Sequence, residues 1–212
     1  TADNKNKAYG EADPKLTAAI TSGKLVGNDK IDYTLSRAAG ETAGQSYAIT
    51  PAGEATQGNY TVTYVPGALT ITKNAAEIIV TAGNAEKTYD GTALTNADAT
   101  VPTHTGTLVS GDIMTVTTSG TITNVGSATN KITKVVVKNA NGDDVTDNYG
   151  NISKVSGTLT VNAVALTVTA DNKNKAYGEA DPKLTAKITS GALVGKDKID
   201  YTLSRAAGET AG

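Results

Sequence analysis

In 212 residues, 19 Lys and Arg nearly balance 21 Asp and Glu, leaving a net charge of −2 and no electrostatic pull toward nucleic acid or an anionic membrane surface. The absence of Cys removes disulfides and thiolate metal sites, and a single His leaves no second imidazole for a mixed site. No apolar run reaches the length of a membrane-spanning helix.

The stock of core residues is unusual: no Phe, no Trp, one Met and nine Tyr, beside abundant Thr and Val. β-Branched and tyrosyl side chains suit a pleated, half-buried surface, and 22 Gly with many Asn and Asp supply turns. A mostly β chain is expected.

TADNKNKAYGEADPKLTA opens the chain and returns at Thr169. Thr1–Gly44 and Thr169–Gly212 superpose without a gap at an offset of 168, differing at three places: Ala19 against Lys187, Lys24 against Ala192, Asn28 against Lys196. A weaker repeat lies between. Lys87-Thr88-Tyr89-Asp90-Gly91 answers Lys7-Ala8-Tyr9-Gly10. Leu108-Val109-Ser110-Gly111-Asp112 answers Leu25-Val26-Gly27-Asn28-Asp29, and Asn148-Tyr149 answers Asn59-Tyr60. Successive offsets of 80 and 88 describe an array that alternates two types of repeat. The expected division is 1–74, lacking its first strand; 75–162, complete; and 163–212, lacking its C-terminal half. The chain thus reads as a fragment, with exposed edges expected in its two terminal repeats.

Alternation and turn residues predict strands in the first repeat near 15–20, 30–36, 46–50, 59–65 and 67–73. In the second they are expected near 77–82, 93–96, 103–108, 113–118, 131–138, 145–154 and 157–162, and in the third at 164–168. Ser22-Gly23, Pro51-Ala52-Gly53, Pro66-Gly67 and Asn141-Gly142 are expected to turn the chain between them. Asp13-Pro14 followed by Leu16, Ala19 and Ile20 also fits a capped helix. Lys187 at the position of Ala19 argues against it: a helix would turn that Lys inward, whereas a strand turns it to solvent.

Candidate sites are few, and no residue is assigned a catalytic, cofactor-binding or metal-binding role. His104, in Thr103-His104-Thr105-Gly106, reads as an exposed strand or loop residue. Asn139 to Asp144 with Asp147 superficially resembles a calcium loop, but it lacks the Gly and Glu spacing of an EF-hand and reads as a hairpin turn. Gly40-Glu41-Thr42-Ala43-Gly44 lacks the Lys of a phosphate loop. Asn59-Tyr60-Thr61 and Asn151-Ile152-Ser153 match the glycosylation pattern by coincidence. Tyr9, Tyr89 and Tyr177 recur at one place in each repeat. In a chain without Phe or Trp they read as core anchors tied through the hydroxyl, rather than as a sugar-stacking platform. Nothing in the spacing singles out a Lys–Asn–carboxylate trio for an isopeptide bond.

The first and third repeats resemble the YG type of MBG (mostly beta, glycine-rich) repeats. The resemblance rests on Tyr9-Gly10-Glu11-Ala12-Asp13-Pro14, Leu25-Val26-Gly27, Asp32-Tyr33-Thr34-Leu35-Ser36-Arg37 and Gly67-Ala68-Leu69-Thr70-Ile71. The middle one resembles the YDG variant through Lys87 to Leu94, Val125-Gly126 and Asp143 to Tyr149. The resemblance implies tandem small β-sandwich or β-grasp-like units in an elongated array, on a bacterial extracellular surface protein or adhesin. It implies a non-catalytic stalk or spacer, without cofactor, whose partners are the neighbouring repeats. An adhesive module binding host glycan or protein through repeated Tyr and loop residues is the alternative.

Overall fold

The computed structural model describes residues 1–98 and 102–211. In the first repeat the strands are β1 (Lys5–Ala8), β2 (Thr34–Arg37), β3 (Ser46–Ala52), β4 (Thr56–Gln57), β5 (Tyr60–Thr61) and β6 (Gly67–Thr72). The second holds β7 (Asn74–Thr81), β8 (Ala85–Thr88), β9 (Leu94–Thr95), β10 (Thr103–Thr105), β11 (Ile113–Ser119), β12 (Thr121–Ile122), β13 (Gly126–Lys138), β14 (Tyr149–Val155) and β15 (Gly157–Asn162). The third holds β16 (Thr167–Ala170) and β17 (Ala186–Ser190). Helix among the described residues is limited to two 3₁₀ turns, Asn96–Asp98 and Thr146–Asn148. The fold is mostly β, as the composition predicts.

The chain forms two compact units. One comprises Thr1–Thr81, Pro102–Thr118 and Ile132–Val155; the other comprises Ala82–Val101, Ser119–Lys131 and Ser156–Gly212.

In the first unit a four-stranded sheet runs in the order β1-β6-β3-β2, with β1 parallel to β6 and the other pairs antiparallel. β6 shows why a sheet forms here: Leu69 and Ile71, two apart, point to one face and are fully buried with Ile49 of β3. Each such side chain contributes about 1.5–3 kcal/mol through burial. A second sheet, β10-β7-β14, buries Ile78 and Val80. The second unit repeats part of the first pattern. β8 runs parallel to β15, and the first part of β13 runs antiparallel to β15, burying Leu159 and Val161 with Leu94. Even local contacts recur. Asn4 Oδ1 accepts from Ala68 N at 2.8 Å, and Asn84 Oδ1 accepts from Thr158 N at 2.7 Å. Tyr9 N donates to Thr72 O, and Tyr89 N donates to Asn162 O.

Three expectations change. Pro66-Gly67 does not reverse the chain. Ala2 N donates to Val65 O just before it, and β6 then runs parallel to β1 just after it. Gly is needed because a Cβ at Gly67 would stand 2.5 Å from Ala2 O. Pro51 and Ala52 do not form a turn but end β3, where Pro51 pairs with Leu35 beyond the part of β3 that pairs with β6. A ring without an N–H is harmless where only one neighbour strand is present.

The segment at 15–20 is neither helix nor a full strand. In the first repeat only Ala18 pairs, in a bridge to Ala2, and Ile20 is exposed. In the third repeat the counterpart of that bridge, Ala186 with Ala170, extends into β17, because Val168 pairs with Ile188. Positions 19 and 187 are exposed in both copies, as Lys187 requires. The Asn141-Gly142 turn forms as expected: Asn139 N donates to Asp143 O, and Lys138 bridges to Asp144.

Candidate functional site at the tyrosine corners

The five-residue loops that begin Leu25, Leu108 and Leu193 share one backbone turn. Asp29 N donates to Val26 O at 3.1 Å, Asp112 N to Val109 O at 3.0 Å and Asp197 N to Val194 O at 3.0 Å. The turn presents an Asp carboxylate at its end. A Tyr later in the same repeat then locks it. Tyr60 Oη donates to Asp29 Oδ2 at 2.6 Å and accepts from Val26 N at 2.9 Å. Tyr149 Oη donates to Asp112 Oδ2 at 2.6 Å and accepts from Val109 N at 2.9 Å. The two repeat types build the same socket.

Within the first unit, that socket holds a side chain from the preceding repeat. Tyr9 Oη donates to Asp112 Oδ2 at 2.9 Å, and its ring meets that of Tyr149 edge-on, centroids 5.7 Å apart at 75°. Gly10 lies directly under Val109; a Cβ there would come within 2.4 Å of the valine side chain, and its φ of +86° suits only Gly. Around this pair, Asn74 Nδ2 donates to Tyr9 O at 3.1 Å, and Asn148 Oδ1 accepts from Ala43 N at 2.9 Å. Tyr9 and Tyr149 are 7% and 4% exposed. Burial, followed by the bond to Asp112, pushes the Tyr9 phenol up to about 12. The same two causes raise Tyr149.

Within the second unit the pattern returns. The Asp197 carboxylate beside Tyr89 raises its phenol, and a Cβ on Gly91 would meet Val194 at 2.9 Å. Tyr9 is therefore a buried anchor and Tyr89 a half-buried one, while Tyr177 is 79% exposed.

A charged quartet stands beside the first corner. Lys7 Nζ donates to Asp13 Oδ1 at 2.7 Å and to Glu11 O at 2.9 Å, and lies 2.8 Å from Glu41 Oε2. Arg37 Nε donates to Asp13 Oδ2 at 2.7 Å, and its Nη2 donates to Glu41. Lys175, Asp181, Arg205 and Glu209 repeat the quartet 168 positions on. Burial works against the Lys7 ammonium, but the hydrogen bonds and charges of Asp13 and Glu41 outweigh it and leave its pKa raised.

A Lys beside two carboxylates invites an amide-forming reading. However, hydrogen bonds from Arg37 first, then Lys7, hold the Asp13 carboxyl down from its ordinary 3.8 to about 2. An ionised carboxylate facing an ammonium is an ion pair, not an electrophile facing a nucleophile. The raised phenols and raised ammonium are likewise held in their protonated, donating forms at neutral pH, the reverse of what a base or nucleophile needs.

This assigns Asp13 a pH signature. A depressed carboxyl contributes stability above its unfolded pKa and loses that contribution as pH falls through the folded value. Between about pH 4 and pH 2 the urea midpoint of the first unit is expected to fall, and Asp13→Asn is expected to flatten that step. A wild-type curve without the step would show that the quartet adds nothing in solution.

The remaining candidates stay apart. His104 is exposed on β10 opposite Val80, and among the described residues no three His, Asp or Glu side chains gather at metal-binding geometry. Asn59 and Asn151 are exposed. Glu41, to which the sequence assigned no role, proves to be a member of the quartet.

A family model described as MBG domain (YGX type) matches residues 1–70 and 166–212. No curated protein and no solved structure matches the chain.

Proposed function

Because the chain belongs to the MBG domain (YGX type) family, we propose that it is a non-catalytic stalk or spacer segment of a bacterial extracellular surface protein. One observation carries this reading: a corner glycine seats against the loop valine of the next repeat twice, Gly10 on Val109 and Gly91 on Val194, with Tyr9 hydrogen-bonded to Asp112 at the first joint and Tyr89 beside Asp197 at the second. A joint that recurs between successive repeats transmits length, since each added repeat meets its neighbour in the same way. The mechanism is mechanical. Small cores of Ile, Leu and Val hold each repeat, and a glycine–valine contact, joined at Tyr9 by a buried hydrogen bond to Asp112, limits bending between repeats.

The chemistry on view agrees with that role. Tyr9, Tyr149 and Asp112 hydrogen-bond one another, and Lys7, Arg37, Asp13 and Glu41 pair among themselves, which supports a structural role for these groups. Small-angle scattering is expected to give an elongated distance distribution that lengthens by a constant step for each further 168-residue period added. A globular profile whose maximum dimension does not grow stepwise would overturn the stalk.

A further inference from the structure

We propose that the parallel strand pairs are shear clamps: the opening and closing strands of a repeat hold each other against tension applied from the repeat's beginning to its end. The inference takes from the stalk reading only the direction of the load.

In the second repeat such a load enters at Asn74, where β7 starts, and leaves at Asn162, where β15 stops. β7 lies parallel to β14, from Asn74 opposite Tyr149 to Thr81 opposite Val155. β8 lies parallel to β15, from Ala85 opposite Leu159 to Thr88 opposite Asn162. In the first repeat β1 and β6 do the same, from Lys5 opposite Leu69 to Ala8 opposite Thr72. In a parallel pair, the start of one strand and the end of the other lie at opposite ends of the ladder. Pulling on both slides the strands along their axes and loads every bond of the ladder together. An antiparallel pair would put the two points at the same end, and its bonds would open one at a time.

Further ties close the pairs at both ends. Ahead of β1, Ala2 N donates to Val65 O at 2.9 Å, and Ala68 N donates to Asn4 Oδ1 at 2.8 Å. At its far end, Tyr9 N donates to Thr72 O at 2.9 Å and Thr72 Oγ1 to Lys7 O at 3.2 Å. β8 and β15 are closed alike, by Thr158 N to Asn84 Oδ1 at 2.7 Å and Tyr89 N to Asn162 O at 2.8 Å. Across β7 and β14, Asn151 Nδ2 donates to Ala75 O at 3.1 Å. The loaded strands also carry the cores: Leu69, Ile71, Ile78, Val80, Leu159 and Val161 are at most 1% exposed. Water therefore has poor access to replace a bond that stretches. Lys73 alone separates β6 from β7, so tension leaving one clamp enters the next with almost no slack.

The chain has no Cys, so an introduced pair fixes where a pull is applied. Thr1→Cys is combined with Lys73→Cys, just past the end of β6, or with Val65→Cys, just before its start; positions 65 and 73 are exposed. Single-molecule pulling at one loading rate is expected to need about twofold more force through the 1/73 pair than through the 1/65 pair, because the first shears the ladder and the second unzips it. Urea midpoints of the two proteins are expected to agree, which leaves direction as the difference. Should Val65→Cys lower the midpoint, Thr63→Cys, also exposed, takes its place. Lys73→Cys with Ala163→Cys spans the second repeat and is expected to resist as strongly as the 1/73 pair. Equal forces through the 1/73 and 1/65 pairs would overturn the clamp, as would a second repeat that gives way at the unzipping force. Either result would leave an elongated scattering profile, and with it the stalk, standing.

Discussion

Asp112→Ala is expected to destabilise the first unit by about 3 kcal/mol, one of the two largest single-residue effects in the chain. The carboxylate receives both Tyr9 and Tyr149 hydroxyls, whose residues are 7% and 4% exposed. Its removal strands two buried donors, and each unsatisfied group costs about 1–3 kcal/mol. Tyr9→Phe removes one donor while keeping the ring against Tyr149, so it is expected to cost only about 1 kcal/mol. Denaturant melts of the three proteins measure the order. Equal costs for Asp112→Ala and Tyr9→Phe would mean that the carboxylate is not shared.

The joint also has an alkaline limit. The Tyr9 phenol is raised from about 10 to about 12, so its contribution is fully present below pH 10 and is lost as pH climbs toward 12. In Asp112→Ala that alkaline step is expected to weaken, because only burial then holds the phenol up.

Gly157→Ala is the second large effect, expected at about 3 kcal/mol or more against the second unit. A Cβ there would stand 2.1 Å from Gly83 O and 2.7 Å from Ala82 O, both backbone atoms. Asn130, 1% exposed, donates its Nδ2 to that same Gly83 carbonyl at 2.8 Å, so the carbonyl cannot swing aside without orphaning a buried amide. Gly67→Ala is expected to act alike on the first unit, against Ala2 O at 2.5 Å. Gly150→Ala, whose nearest neighbour lies at 3.3 Å, is the control and should cost far less. Hydrogen exchange resolved by residue separates the two units. A Gly157→Ala protein with unchanged protection on β15 would show that the close approach relaxes in solution.

Much of the architecture was legible in the residues. The alternation of Leu69 with Ile71, and of Leu159 with Val161, announced β6 and β15 because burial on one face demands a period of two. Asn141-Gly142 announced its turn through the positive φ that Gly142 adopts, +87°. Other strands were hidden. No strand was expected at Lys5–Ala8 or Ala85–Thr88, yet they form β1 and β8 because β6 and β15 offer parallel partners more than 60 residues away. Pairing of that kind leaves no local mark, since the hydrogen bonds come from the backbone and not from the side chains. Pro51 misled in the opposite direction: its turn propensity yielded to an unpaired flank of β3.

The site divides in the same way. That Tyr9, Tyr89 and Tyr177 serve the same place in successive repeats follows from the amino-acid order alone, and so does a core that must use tyrosine where Phe and Trp are missing. The recurrence of Asp29, Asp112 and Asp197 is equally plain once the loops are aligned. That a tyrosine of one repeat grips the aspartate of the next is not, because 103 residues separate Tyr9 from Asp112. Nothing in the local chain links a phenol to a carboxylate at that distance. Folding brings them together, and burial then makes their hydrogen bond count, by removing the water that would otherwise satisfy either partner.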